Sequence, residues 1–290
     1  MPSAATPSRV DQTLTVLLPP VERALGRLCP TMITNALIEL IVFAIKQAWA
    51  SLFGGLLLFA MIATRLVYPD EMPIARYDFL VLYAVLLQAV FLLTKLERPS
   101  EALVILIFHL VGTGMELFKT EMGSWVYPED NVLRIAGVPL FSGFMYAAVG
   151  SYFARCARVF AFRWTHYPPI WMTFVLSIGI YANFFSHHFI WDARYVLFAA
   201  TAALFWRCQV HYRVWRWRHR MPLLLGFLLV SFFIWIAENI ATMTQIWLYP
   251  NQHAAWQMVS LEKLGSWNLL MIISWVLVTL VHRPKAKDAN

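Results

Sequence analysis

Apolar positions along this chain gather into long runs, broken at intervals by short polar segments rich in Arg, Trp, Tyr and Pro. The runs fall at 51–68, 78–95, 102–122, 136–156, 170–188, 194–211, 222–247 and 267–282. Each is long enough, or nearly so, to cross about 30 Å of hydrocarbon at about 1.5 Å per helical residue. The pattern predicts an all-α fold, a polytopic membrane helix bundle of about eight transmembrane helices. Ahead of the first run, residues 31–50 keep a helical period with Thr31, Asn35, Glu39 and Lys46 close to one face. That spacing predicts an amphipathic helix at the cytoplasmic surface, or a cytoplasmic extension of the first span. Residues 1–30, with Pro19, Pro20 and Pro30, read as a poorly ordered tail apart from a short helix around Val21 to Leu28. Residues 283–290 read as a second tail. The N-terminal segment lacks an apolar signal core, so the first span is expected to direct insertion.

The polar breaks give an orientation. With the N-terminus inside, all but six of the 23 basic residues fall on the cytoplasmic side, the exceptions being Arg65, Arg76, Lys119, Arg134, Arg194 and Lys263. An even number of spans with both termini cytoplasmic satisfies the positive-inside rule. Turns of the form aromatic-Tyr-Pro then lie on the outer side, with Val67-Tyr68-Pro69 a looser copy.

Two of those turns belong to a repeat. Glu116 to Pro128 reads E-L-F-K-T-E-M-G-S-W-V-Y-P, and Glu238 to Pro250 reads E-N-I-A-T-M-T-Q-I-W-L-Y-P, with Glu, Thr, Trp, Tyr and Pro in register. Ala75-Arg76-Tyr77 and Ala193-Arg194-Tyr195 form a second matched pair. The small change of offset between the two matches falls where K-L-E-R-P-S is replaced by the longer R-V-W-R-W-R-H-R, a loop in which insertion is cheap. The pattern predicts two tandem four-helix halves, 51–160 and 170–282, sharing orientation about an axis along the membrane normal.

Composition narrows the functional classes. The chain is 60% hydrophobic and 13% charged, against about 25% charged for a soluble domain, so its solvent is expected to be lipid. A net charge of +7 could suit nucleic acid, but the basic residues sit in short breaks between apolar runs, and no nucleic-acid partner is expected. The Arg207 to Arg220 segment, with Trp215 and Trp217 among its arginines, reads as a loop anchored among anionic headgroups. Cys29, Cys156 and Cys208 have no metal-type spacing and read as reduced structural thiols. No phosphate loop or nucleophile elbow is visible. No cofactor and no metal are expected, and the residues set no oligomeric state.

The chemistry-bearing candidates are the repeated acids. An acid inside an apolar run is expensive and by default functional. His109 and Glu116 share a helix face at seven residues' spacing, with Thr120 beside them, and Ser231, Glu238 and Gln245 do the same in the second copy, with Thr242 beside them. If the halves pack about a two-fold axis, Glu116 and Glu238 meet; two carboxylates in one low-dielectric site cannot both ionise easily, so the pair would hold a proton near neutral pH. The bland alternative gives each acid a structural hydrogen bond to Thr120, Thr242, Asn239 or His109. Trp125, Tyr127, Trp247 and Tyr249 are expected to support the site. A second cluster, His187, His188, Asp192 and His253, lies at the outer face with Glu121, Glu129 and Glu262 in nearby loops. Adjacent histidines on a helix point about 100° apart and do not chelate one ion.

On Glu116 to Pro139, Asn183 to Asp192 and Glu238 to Pro250, the chain resembles the bacterial membrane family known as domain of unknown function 817. That resemblance covers nearly everything after the N-terminal segment and implies a multi-pass protein of the bacterial cytoplasmic membrane. A fainter likeness, carried by Glu116, Thr120, Gly123, Tyr127 and Gly137-Val138-Pro139-Leu140, is to the membrane hydratases of carotenoid biosynthesis, which add water to an isoprenoid double bond without metal or organic cofactor. Glu121-Met122 stands where that family has a Pro-Phe step. The expected function is an intramembrane acid–base enzyme acting on an apolar lipid or isoprenoid substrate through Glu116 and Glu238, with His109 tuning the proton. A proton- or cation-coupled transporter using the same acids is the alternative, and a structural or accessory membrane protein the third.

Overall fold

A computed structural model describes residues 8–69 and 71–281. Ten helices carry the fold: α1 (Arg9–Leu28), α2 (Thr31–Ala50), α3 (Leu52–Val67), α4 (Arg76–Leu93), α5 (Pro99–Glu121), α6 (Phe141–Val159), α7 (Ile170–Ser186), α8 (Arg194–Phe205), α9 (Leu223–Met243) and α10 (Leu261–Val281). Between them lie β1 (Arg134–Ile135) and β2 (Val138–Pro139), then β3 (Arg163–Thr165), β4 (Gln209–Arg213) and β5 (Arg218–Pro222).

Polarity is distributed inside out. Phe59, Leu86, Leu106, Leu110, Val175, Ile178 and Phe233 are exposed on the perimeter, whereas Lys46, Arg155, Glu97, Glu116 and Glu238 are buried. Ionic groups inside and aliphatic groups outside are what a hydrocarbon solvent favours. Among the described residues five helices, at Thr31–Ala50, Arg76–Leu93, Pro99–Glu121, Leu223–Met243 and Leu261–Thr279, are long and apolar enough to cross a membrane. The molecule is thus a helical bundle of membrane-protein character. The eight apolar runs all appear as helices, but α3, α7 and α8 are shorter, and α8 with 12 residues reaches only about 18 Å.

The bundle has two ends. At one, called here the motif end, lie the connections 122–140, 187–193 and 244–260 that carry the repeated turns. At the other, the sheet end, β3, β4 and β5 form an antiparallel sheet, with Tyr212 paired to His219 and Arg213 to Arg218. The basic loop at 207–220 is therefore a β-hairpin. It is fastened from below: Glu39 of α2 accepts from the backbone N–H groups of Trp215, Arg216 and Trp217, at 3.2, 2.7 and 3.0 Å. Arg216 also pairs with Glu22 of α1 at 2.9 Å.

The N-terminal segment is helical well before Val21. Ser8 and Asp11 cap α1 reciprocally, and Val10, Leu14 and Leu18 form a buried stripe against α2 and the end of α6. Asp11 pairs with the buried Lys46 at 2.8 Å. The segment expected to be a poorly ordered tail is thus helical from Arg9, and this docking carries the helix through Pro19 and Pro20. The expected tail at 283–290 lies outside the described residues.

The apolar run at 136–156 begins in a turn. Asp78 accepts from Asn131 and from the N–H groups of Val132 and Leu133, holding β1 and β2 over the start of α4. Ala136 and Gly137 make the turn at φ 46° and 81°, a primed geometry in which two consecutive residues are left-handed. Only from Phe141 does α6 begin. It then runs through the middle of the bundle, packed on α2, α3, α4, α5 and α10.

Helix pairing repeats along the chain. α3 packs on α4 and α6 while α5 packs on α6; likewise α7 packs on α8 and α10 while α9 packs on α10.

Candidate acid site at the motif end

Both copies of the repeat end their helices with the same cap. After α5, the N–H of Ser124 bonds the carbonyl of Lys119 and that of Gly123 bonds Thr120; after α9, Ile246 bonds Ala241 and Gln245 bonds Thr242. Gly123 at φ 66° and Gln245 at φ 56° are the left-handed residues these Schellman caps require. The chain leaves each cap toward the other, and Val126 and Leu248 pair as an antiparallel bridge.

This geometry turns the aromatic residues of each copy back over its acid. Glu116, 3% exposed, accepts on Oε2 from the Trp125 indole (2.8 Å) and the Tyr127 hydroxyl (2.7 Å). Tyr146 of α6 supplies its Oε1 from 2.8 Å. Glu238, 4% exposed, accepts on Oε1 from Tyr249 and on Oε2 from the Trp267 indole of α10 at 2.8 Å. The copies differ at one place. Trp247 packs with Trp125, Tyr249 and Val259, and Trp267 takes the position on Glu238 that Trp125 holds on Glu116.

Among the described residues no hydrogen bond joins the two carboxyl groups, contrary to the expected shared proton. They lie within electrostatic reach of each other and are linked through two aromatic contacts. Trp125 meets Tyr249 edge-on at 6.1 Å, and Tyr146 meets Trp267 at 6.4 Å. Burial first, then the charge and hydrogen bond of Glu116, hold the Tyr127 hydroxyl well above the usual tyrosine range; burial and Glu238 do the same to Tyr249. Both tyrosines therefore stay protonated. Lys263, from the first turn of α10, caps the assembly over the rings of Tyr249 (4.5 Å) and Trp125 (5.4 Å).

Tyr146 reaches Glu116 because Gly112 lies beneath its ring. A Cβ at 112 would come within 2.6 Å of Tyr146 Cγ. The remaining sequence candidates fall elsewhere. His109 packs against Phe144 at 4.6 Å and against Gly143, two turns from Glu116, with its Nδ1 buried there and not directed at the acid. The hydroxyl of Thr120 is likewise unpartnered, so it is not the acid's support. Thr242 accepts from Trp256, and Asn239 bonds Val259 N–H at 2.9 Å, so both fasten the 250–260 loop rather than Glu238.

The histidines fall beyond the end of α7, so the helical 100° argument does not reach them. Their rings lie 4.2 Å apart and converge on Lys119, whose Nζ is 3.2 Å from Nε2 of His187 and 2.7 Å from Nε2 of His188. Asp192 is engaged by Asn183 (3.0 Å) and Arg194 (3.0 Å), and these bonds hold its carboxyl below the usual range against the opposing effect of burial. His253 follows the short 3-10 turn at Pro250–Gln252 and is exposed. Glu129 pairs with Arg76. A cleft of about 250 Å³ opens beside that pair, lined by Thr64, Tyr68, Ile74 and Glu129 and by neither acid of the repeat.

Sequence reasoning missed one ionic cluster at the sheet end. Glu97 accepts from Ser151 (2.6 Å), Gln88 (2.6 Å) and Arg155 (3.1 Å), with Glu97 and Arg155 fully enclosed, and Arg158 pairs with Glu101 at 2.9 Å. The signal was an arginine inside the apolar run 136–156, which must find an acid.

Comparison with known proteins fits this architecture to a family. The family described as "Protein of unknown function (DUF817)" matches residues 39–275. The chain belongs to that family. A relative, the "Uncharacterized protein YoaT" of Bacillus subtilis (strain 168), is 42% identical over 254 residues, 88% of this chain and 96% of the relative. No solved structure matches. The family match includes both acids and all five of their side-chain donors, and begins at Glu39, which fastens the hairpin.

Proposed function

We propose that this family member is an intramembrane acid–base enzyme of the bacterial cytoplasmic membrane, acting on a lipid or isoprenoid substrate through Glu116 and Glu238. The observation that carries the reading is that each buried carboxyl group is held between an indole N–H and a tyrosine hydroxyl, within one aromatic box.

That donor set has a chemical consequence. An indole can only donate, so the oxygen it faces must be an acceptor; a tyrosine hydroxyl can turn and accept. A proton on Glu116 therefore belongs on Oε1 toward Tyr146, and one on Glu238 on Oε1 toward Tyr249. Each Glu–Tyr bond is then a line along which a proton moves without leaving the low-dielectric interior. In a hydration, one protonated acid gives its proton to a carbon of the double bond, water adds to the carbocation, and the proton water releases goes to the other carboxylate. The sequence likeness to membrane hydratases points the same way.

The same reading takes residues 51–160 and 170–282 as tandem duplicated halves with about eight spans and both termini cytoplasmic. The matching caps, the Val126–Leu248 bridge and the recurring helix pairing support it, as does the clustering of arginines toward the sheet end. The test compares lipid and isoprenoid profiles of a deletion strain complemented with wild type, Glu116→Gln or Glu238→Gln. Loss of complementation by both variants, at normal membrane levels, is expected. Full complementation by either would remove acid–base chemistry at that residue.

The two-fold arrangement also favours a second reading, a proton-coupled carrier in which halves rock about the bridge and the acids load and release protons. Uptake into proteoliposomes driven by a pH gradient and abolished by either Gln variant would select it.

A further inference from the structure

Lys119 lies one turn beyond Glu116 on α5 and is 5% exposed, yet among the described residues it forms no ion pair. Its hydrogen-bond partners are the two histidines. His187 Nδ1 is 2.9 Å from the Asn183 carbonyl, so Nδ1 carries the hydrogen and Nε2 presents a lone pair to the ammonium. A lone pair brings no formal charge to pair with the ammonium, and the Phe184 ring, 4.4 Å from Nζ, adds only a cation–π contact. Lys263 is in the same position: it lies over two aromatic rings and is drawn toward Glu238 and Glu116, but pairs with neither. Arg194 is within electrostatic reach of both lysines, and Asp192, which acts on Lys119, is already engaged by Arg194 and Asn183. Among the described residues neither lysine forms an ion pair, although Glu238, Glu116 and Glu262 lie within electrostatic reach of Lys263 and Asp192 of Lys119; a bound anion able to accept hydrogen bonds from this face would recover the cost of gathering the cations.

The surroundings say what kind of anion. His188 is exposed, and the next residues, Phe189, Ile190 and Trp191, are 69%, 67% and 71% exposed, an apolar apron at the motif end. A polar group entering at His188 would have its tail in hydrocarbon beside it.

We propose that Lys119, Lys263, Arg194, His187 and His188 form a binding site for a phosphate monoester or diphosphate group. It deepens the reading above by giving the class of the substrate's head, and it rests on that reading only for the statement that the bound molecule is the one that reacts.

The test uses the full-length protein in phosphatidylcholine nanodiscs. Inorganic phosphate is titrated by calorimetry, and retention of phosphatidic acid, doped into the discs, is read by native mass spectrometry. Saturable binding weakened about tenfold by Lys119→Gln or Lys263→Gln is expected. Binding of phosphatidic acid alone identifies a lipid headgroup as the source, and binding of phosphate alone a soluble ligand. No saturable binding of either probe, or equal binding in wild type and in both variants at unchanged melting temperature, overturns the site. Should Lys119→Gln fail to fold, Lys263→Gln and the exposed His188→Gln decide in its place. Glu116→Gln and Glu238→Gln, which remove negative charge near Lys263, are expected to bind both probes at least as tightly as wild type. Binding that persists while those variants complement the deletion would leave the anion site standing and the acid–base reading overturned; the reverse pattern would do the opposite.

Discussion

Val126 and Leu248 exchange both backbone hydrogen bonds, 3.0 Å one way and 2.9 Å the other, and they occupy the same position in two segments that cap two different helices. Reciprocal pairing of equivalent residues is what a local two-fold axis produces. It also explains the aromatic box. Each Tyr-Pro turn, folded back by its cap and pinned by the bridge, lays its ring against its own acid, and Tyr249 also meets Trp125 of the other copy edge-on, while Tyr127 packs on Tyr77 and Phe141.

The caps make the first prediction. A non-glycine residue in the left-handed region costs about 1–2 kcal/mol, and Gln245 bears that cost where Gly123 does not. Gln245→Gly should raise the melting temperature in detergent, and Gly123→Gln should lower it. Shifts of the same sign would mean that the two caps are not equivalent.

The contact of Gly112 with Tyr146 makes the second. Gly112→Ala should push the Tyr146 ring off Glu116, leaving Oε1 without its donor, whereas Tyr146→Phe removes that donor and keeps the ring. A lost hydrogen bond to a buried charged group costs about 1.5–3 kcal/mol, so both variants should be less stable, and the double variant little worse than Gly112→Ala alone. Additive losses in thermal unfolding would show that Gly112 serves packing between α5 and α6 and not the acid.

How much of this was legible in the chain depended on whether the partner was local. Trp125, Tyr127 and Tyr249 could be tied to their acids because a cap of fixed length brings them back, and the residue types recur. Tyr146 and Trp267 could not, since each arrives from another helix at no fixed spacing from its Glu. Lys119 and Lys263 were visible as cations on the sparsely charged side, but their convergence with His187 and His188 depends on where α7 ends. That the 207–220 loop is a β-hairpin was not legible because Trp and Arg alternate in strands and in headgroup anchors alike, and the Glu39 that clamps its turn lies far away in sequence.

That carboxylate gives the third prediction. Three consecutive N–H groups converge on Glu39, itself 7% exposed, and Arg216 completes the clamp through Glu22. Glu39→Gln replaces a charged acceptor by one that can satisfy only part of the set. It should free the 214–217 turn and make trypsin cut at Arg216 or Arg218 in inverted vesicles or detergent, with about 1.5–3 kcal/mol of stability lost. Glu22→Gln, which leaves the backbone contacts in place, should have a smaller effect. An unchanged cleavage pattern in Glu39→Gln would mean that the sheet alone holds the turn.

The last prediction concerns pH at the motif end. Burial, then the charges of Lys119, His187 and Lys263, hold His188 below its ordinary value, so the folded protein keeps this imidazole neutral at a pH where the unfolded chain has begun to protonate it. The unfolded state then binds more protons, so this contribution is complete above about pH 6.5 and is lost as pH falls through the interval between the unfolded and folded values. Melting temperature should accordingly drop on acidification from about pH 7 to 5, and less so in His188→Gln, which titrates nothing. Asp192 has the same sign but acts lower, because its own ordinary value is near 3.8, so the two are separable on the pH axis. A bound phosphate should reverse the His188 effect, since an anion between Lys119 and the ring favours the imidazolium. Melting curves recorded from pH 7 to 5 with and without phosphate should therefore diverge toward the acidic end, where protonation of His188 tightens the bound anion, and parallel curves would separate His188 from the anion site.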